Sequence, residues 1–382
     1  MGIFIFEVYY SIFRMIIYDI ALTMIPEIGN IRGRKLIETF GSAEAAMKTC
    51  PDDIFAETQI PLSAIHKLMN NRGFPDAEAE IRFAEKNGIE IISITSDKYP
   101  ELLKECCDAP LVLYVKGDID FNSGRWMSVV GTRKFTSYGE KVTREIVTGV
   151  SSVVQDAVIV SGLAYGTDIC AHVSAMDSGL KTVAVLGNPL NRIYPSAHKR
   201  QAERIIETGG AIVSEFHSLC AVQPTNFLRR NRIIAGLSSG SIIIESAYKG
   251  GSLSTANYAH GYDRDVMAVP GKIGDATSEG TNNLIYKQKA YMVRGYKDVL
   301  EVLNWDVPDK KKKNVQTEFF SVTEKMPADM KTLYESIPET ACSFDDLSVI
   351  ANMPVYKISF LAFEMELAGY IRIMPGNMVA KI

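Results

Sequence analysis

From Ile89 onward the chain alternates short, unbroken apolar runs with amphipathic, helix-period segments, and that alternation allows few folds. A strand with one face in water carries an apolar residue at every second position. A run that is apolar throughout belongs to a strand covered on both faces, as in a parallel sheet with crossover helices. Close to that pattern are Met127–Val130, Ala157–Val160, Thr182–Leu186, Ala211–Val213, Ser241–Ile244 and Val266–Val269, with Ser128, Thr182 and Ser241 as the polar positions. Most are followed at once by Gly, Ser or Glu, and ligands of such sheets gather beyond the carboxyl ends of the strands. The expected fold class is α/β with a parallel-sheet core.

The flanks read differently. Residues 1–85 are expected to form a small helical domain, helix-hairpin-helix or SAM-like. Leu22, Ile25, Ile28, Leu36, Ile37 and Phe40 recur at helical spacing, broken by Pro26, Gly29, Gly33 and Gly41. The Ile25–Gly29 turn before Arg32–Phe40 either offers amides to a phosphate or simply packs two helices. Residues 86–305 make the sheet domain, and 306–324, with Pro308 and Lys310–Lys313, read as a linker. In 325–382 the order is helix (Ala328–Ser336), helix (Ser343–Ile350), helix (Val355–Ala368) and hairpin (Tyr370–Ile373 with Met378–Ala380), the order of a winged helix. Its presumed recognition helix sets Lys357 against Glu364 and Glu366, so a protein contact is as good a role for it as groove reading.

Charge and composition narrow the partners. The net charge is -4 and the pI about 5.9, which excludes a uniformly basic nucleic-acid coat and leaves a local patch. Cys50, Cys106, Cys107, Cys170, Cys220 and Cys342 form no Cys-x-x-Cys pair and have no histidine at zinc spacing, so reduced thiols, a cytoplasmic location and no metal are expected. Met1–Met24 is apolar, but Glu7, Arg14 and Asp19 cut every run well below the roughly 18 residues of a membrane helix. An amphipathic first helix and no membrane partner are expected, with Met15 as an alternative start.

The candidate site lies in the turns. Gly131-Thr132-Arg133 follows a strand and opens a helix through Ser137, and there main-chain amides, the helix dipole and a guanidinium fork all favour an anion. Ser161-Gly162 repeats the pattern, with Thr167 or Asp168 as helix cap, and Gly251-Ser252 follows Glu245. Between Asn226 and Ser238 stand Phe227, Arg229, Arg230, Asn231 and Arg232. These arginines cannot share one helix face, so some are expected to pair with Glu215 or Glu245. Phe227 stacks on a base or joins the core. Tyr194-Pro195, ahead of His198-Lys199-Arg200, would lengthen the basic track. No Walker A or G-x-G-x-x-G string occurs, which disfavours ATP hydrolysis and dinucleotide redox chemistry. Asp168, His172, Glu215, His217 and Glu245 leave an acid–base enzyme open, a Rossmann-like nucleotide phosphoribohydrolase using Glu245 or Asp168. Double-stranded DNA binding through 325–382 is a third reading.

The chain resembles the DprA/Smf family of bacterial DNA-processing proteins. The matching strings are Tyr99-Pro100 through Tyr114, Val130–Arg133 with Ser137–Gly139, Ser161–Ala164 with Gly166–Asp168 and Ala171-His172, and Ala184–Gly187. They continue with Tyr194-Pro195, the R-N-R-I-I-A-G-L-S block, Gly251–Ala256 and Ala268–Gly271. The resemblance covers about residues 90–305; Leu228 stands where proline is common and His198 where asparagine is. It implies an extended Rossmann-like core that binds single-stranded DNA, forms a homodimer and helps load the RecA recombinase during natural transformation, without catalysis or cofactor. By motif, the DNA contacts fall on Gly131, Thr132, Arg133, Ser137, Ser161, Gly162, Phe227, Arg230, Asn231, Arg232, Gly251 and Ser252.

Overall fold

The computed structural model describes residues 16–70, 73–305, 327–338, 342–368, 370–374 and 376–381. It divides into two compact units, Met1–Val307 and Pro308–Ile382. The linker expected at 306–324 and the start of the expected first helix lie outside the described residues; residues 16–24 are helical.

The larger unit is built on a nine-stranded sheet: β1 (Glu90–Ser93), β2 (Val112–Gly117), β3 (Arg125–Val130), β4 (Ala157–Ser161), β5 (Lys181–Val185), β6 (Ala211–Ser214), β7 (Gly240–Ile243), β8 (Asp265–Ala268) and β9 (Tyr291–Met292). Their order is β1-β2-β6-β5-β4-β3-β7-β8-β9. From β6 to β9 every neighbouring pair is parallel, whereas β1 and β2 extend the sheet antiparallel. The expected strands correspond to β3 to β8, within a few residues at each end.

Alternation along the strands explains their continuous apolarity. Val158 and Val160 pack on one face with Ile233, Ile234, Ala256 and Ala259, from helices Pro224–Gly236 and Ser252–Gly261. Ala157 and Ile159 pack on the other with Ile146, Val150, Ala171 and Ala175, from helices Ser137–Ser151 and Thr167–Asp177. Because β3 has β4 on one side and β7 on the other, the chain reverses its winding direction there. That opens a crevice at the carboxyl ends.

The helices Gly29–Phe40, Ala43–Lys48, Pro51–Thr58, Leu62–Asn70 and Phe74–Asn87 precede the sheet. Ser42 caps the second of them by accepting from the Ala45 amide at 3.0 Å, and Pro51 opens the third where its missing N–H costs nothing. They do not have a core of their own: Leu36, Ile65 and Leu111 belong to the same apolar cluster as Val160 and Val213 of the sheet.

The smaller unit follows the order helix Ala328–Ser336, strand Cys342–Ser343, helix Phe344–Ile350, helix Val355–Leu367, then strands Ile371–Met374 and Met378–Lys381. Its core contains Leu333, Leu347, Ile358, Leu361, Met365, Ile371 and Val379. Among the described residues no helix is long and apolar enough to cross a membrane.

One buried group makes the larger unit sensitive to pH. His172 is fully buried, and its Nδ1 lies 2.7 Å from Thr182 Oγ1, which itself donates to the Ile159 carbonyl at 2.7 Å. The imidazole therefore carries its proton on Nδ1, and Nε2 faces no partner. Burial first, then the Arg230 charge and His198, push its pKa down to about 3. The unfolded chain takes up a proton near pH 6.5 that the native state refuses, so the stabilisation is complete above pH 6.5 and falls away as pH drops towards 3. Between pH 6 and 4 the unfolding free energy of the native chain should fall more steeply than that of His172→Asn, by about 1.4 kcal/mol per pH unit. Parallel pH profiles in urea titrations would contradict this assignment.

Candidate nucleic-acid interface

The turns after β3, β4 and β7 converge with helix Pro224–Gly236 on one cavity of about 270 Å³. Gly131, Thr132, Arg133, Asp168, Phe227, Arg230, Asn231, Gly251 and Ser252 line it. Ser137, Ser161, Gly162 and Arg232 do not line it, although the sequence placed them with the others.

Arg230 is the best-held cation. It is 4% exposed, and its guanidinium donates to the Gly162 carbonyl at 2.7 Å, to the Val185 carbonyl, and through Nε to Asn231 Oδ1 at 3.1 Å. Burial pulls its pKa down to about 10, opposed by the Asp168 charge, and the nearby Arg133 charge adds a little to the depression. At neutral pH it stays protonated, a fixed positive charge at the cavity wall.

Arg133 is the opposite case. It is exposed, and among the described residues its guanidinium has no hydrogen-bonding or ion-pair partner. The same cavity is lined by the start of helix Ser252–Gly261, whose first amides have no partner within the helix. Those of Leu253 and Ser254 bond the carbonyls of Gly250 and Gly251, while those of Gly251 and Ser252 have no acceptor among the described residues. A Cβ added to Gly251 would meet nothing nearer than Leu228 at 4.0 Å, so an anion has room to reach these amides.

At Gly131 and Gly162 the missing side chain makes room for protein atoms. A Cβ at Gly131 would sit 2.4 Å from Thr167 Oγ1, and one at Gly162 would sit 2.3 Å from the Arg230 guanidinium. The space expected to admit an anion at those two turns is filled by neighbouring side chains. Ser161 is likewise turned inward, donating to the Val129 carbonyl at 2.7 Å. Ser137 is exposed at the first position of its helix.

The expected pairing of arginines with a carboxylate is present at Glu215 and not at Glu245. Arg232 is 3% exposed and meets the Glu215 carboxylate at 2.5 Å and the Asp108 carbonyl at 2.6 Å. Arg229 and Asn30 also donate to Glu215. Glu215 thus ties the arginine helix to the N-terminal helices, and Arg232 spends its guanidinium on these protein partners. Glu245 holds no arginine: it accepts from the Thr136 amide at 2.9 Å and from Thr136 Oγ1 at 2.6 Å, which fixes the start of helix Ser137–Ser151. Asp168 is not the cap of its helix. Gly166, at φ 76°, occupies that position, and the carboxylate turns back to accept from the Gly162 and Ala164 amides at 3.2 and 3.4 Å. Burial raises the Asp168 pKa, and the Arg230 charge and these amides oppose the rise.

Asn231 joins the elements rather than facing only the cavity. Its Nδ2 donates to Ser254 Oγ at 2.7 Å and to the Gly251 carbonyl at 3.3 Å, clamping the last turn to the arginine helix. Phe227 is half-buried at the mouth, its ring 5.2 Å from that of Tyr194, and Tyr165 packs edge-on against His198 at 4.7 Å. Ser246 and Ala247 line the cavity without having been singled out in the sequence, although Ser246 follows Glu245 directly.

The family model for DNA recombination-mediator protein A matches residues 90–304. The chain belongs to that family. It is 35% identical over 306 residues to Protein Smf of Escherichia coli, covering 79% of this chain and 80% of that one. It is 39% identical over 208 residues to DNA processing protein DprA of Streptococcus pneumoniae, covering 54% of this chain and 72% of that one. The X-ray structure of the Streptococcus pneumoniae DprA superposes with a TM-score of 0.63 at 33% identity, covering 75% of this chain and 96% of that one. A Helicobacter pylori DNA processing protein A, described for its single-stranded DNA binding mode, superposes at 0.51 and 28% identity, covering 56% and 95%. Family membership makes this a DNA-processing, recombination-mediator protein with an α/β core.

The two kinds of arginine separate by stability. Arg232→Ala leaves Glu215 buried without its closest cation and should cost about 3–5 kcal/mol, whereas Arg133→Ala should stay within about 0.5 kcal/mol of the native chain. Urea unfolding of both variants measures this, and equal stabilities would contradict the assignment.

Proposed function

We propose that the chain binds single-stranded DNA across this cavity without cutting it and passes it to the RecA recombinase, working as a homodimer in the cytoplasm. The observation that carries the reading is that one cavity is lined by the exposed Arg133, unpaired among the described residues, by Gly251 and Ser252, whose amides have no acceptor among them, and by the buried Arg230 charge. A guanidinium fork and a helix N-terminus both suit a phosphate, and neither reads a base. Phe227 and Tyr194 at the mouth offer rings to an unpaired base, a contact that tolerates any sequence. The DNA binding of the Helicobacter pylori relative supports the choice of ligand, and the mediator role of the family supports delivery to a recombinase. Against a phosphoribohydrolase stands the engagement of the candidate acids: both oxygens of Glu245 are held by Thr136, and Asp168 is turned into its own loop.

Each phosphate neutralised on a single strand lowers the log affinity by roughly 0.7 per log unit of salt. Titration of labelled oligothymidylate at several salt concentrations should therefore give Arg133→Ala a weaker affinity and a slope shallower by about 0.7. Phe227→Ala should lose about 1–3 kcal/mol with its slope unchanged. Native affinity and slope in Arg133→Ala would overturn the reading.

A further inference from the structure

A contiguous apolar patch rimmed by polar residues and left open on a folded unit marks an interaction surface. Helix Val355–Leu367 buries Ile358, Leu361, Ala362 and Met365 in the core of the smaller unit. Its other side is equally apolar and lies open: Tyr356 is 78% exposed, Phe360 62%, Phe363 57% and Leu367 75%. Their spacing of four, three and four residues is that of a coiled-coil seam. The preceding helix Phe344–Ile350 adds exposed Val349 and Ile350. Aromatic side chains bury roughly 150–250 Å² each, so these residues together offer several hundred Å², of the order of the ~800 Å² that each partner gives to a standard interface.

We propose that this stripe pairs antiparallel, about a two-fold axis, with the same helix of a second copy of the chain. The stripe is complementary to itself in that orientation. With the axis between Phe360 and Phe363, Tyr356 layers on Leu367 of the second copy and Phe360 on its Phe363, so large meets large in every layer and the interface closes on itself. The flanking charges select the same direction. Lys357 and Glu364 lie seven residues apart on one flank, and the antiparallel arrangement sets Lys357 beside Glu364 of the second copy, twice by symmetry. A parallel arrangement sets Glu364 against Ser359 instead. Lys357 already meets Asp329 at 2.6 Å within its own unit, and the Glu364 carboxylate has no ion-pair partner among the described residues. Nucleic acid is a poor occupant, because Glu364 and Glu366 flank the stripe and its one lysine is paired. Pairing of this kind does not depend on strand binding. It would place two cavities in one assembly and so raise avidity for a long strand.

The full-length chain with Tyr356→Cys and Leu367→Cys tests the geometry. Within one helix these positions are about 16 Å apart, too far for a disulfide inside a single chain. Mild oxidation without DNA should give a disulfide-linked two-chain species, seen on a non-reducing gel. With the exposed native Cys50 and Cys107 replaced by Ser throughout, neither added cysteine alone nor that background itself should give it, and adding Phe360→Asp should abolish it. Adding Lys357→Glu should lower the yield several-fold, and Lys357→Glu with Glu364→Lys should restore it, a rescue that an unfolded tail would not produce. Absence of the two-chain species, equal yield from the single-cysteine variants, or indifference to Phe360→Asp would overturn the proposal.

Discussion

A guanidinium taken out of water organises the cavity. Arg230 is buried where the turns after β4 and β5 meet helix Pro224–Gly236, and a buried cation left unpaired costs several kcal/mol. The cost is avoided only if the Gly162 and Val185 carbonyls and the Asn231 amide oxygen keep their places around it, with Asp168 near enough to balance the charge. Satisfying one cation therefore locks two turns to one helix. The same bonds favour glycine at 162, since a Cβ there would sit 2.3 Å from the guanidinium and displace it.

That arrangement divides the work of neighbouring arginines. A helix turns about 100° per residue, so adjacent side chains in the block cannot meet one partner. Arg230 faces the cavity, Arg232 is taken by Glu215 and Asp108, and Arg229 shares Glu215 while lying over the Phe216 ring at 5.7 Å. Arg133 alone of this group is exposed without a protein partner among the described residues, on a turn supplied by another strand. A fixed charge in the wall and a free one at the mouth suit a flexible polyanion: the first loses no side-chain entropy on binding, and the second adapts to the phosphate that arrives.

The parallel core was legible because strands covered on both faces are largely apolar, as β3, β4 and β7 are, and the buried Ser128 and Ser241 of β3 and β7 satisfy each other at 2.7 Å. Convergence of the turns followed from the carboxyl-end rule and the strand order around β3. The edge strands were not legible: β9 has two residues, both exposed, and β1 is a four-residue strand whose burial grows only towards one end. Nor could the sequence choose between Glu215 and Glu245 as the arginine partner, since both follow apolar strands. The choice depends on β6 and β7 lying on opposite sides of β3, which is tertiary information. The sequence also does not show what the glycines of these turns make room for. At Gly131 and Gly162 the close approach is to Thr167 and Arg230, and only contacts across the fold reveal it.

Hydrogen exchange of the intact protein with and without a short oligothymidylate tests the location of the site most directly. The account predicts slowed exchange at the cavity-lining segments 131–133, 164–168, 227–231 and 246–255, with 327–381 unaffected by the strand. Protection confined to 327–381, with those four segments unchanged, would contradict it.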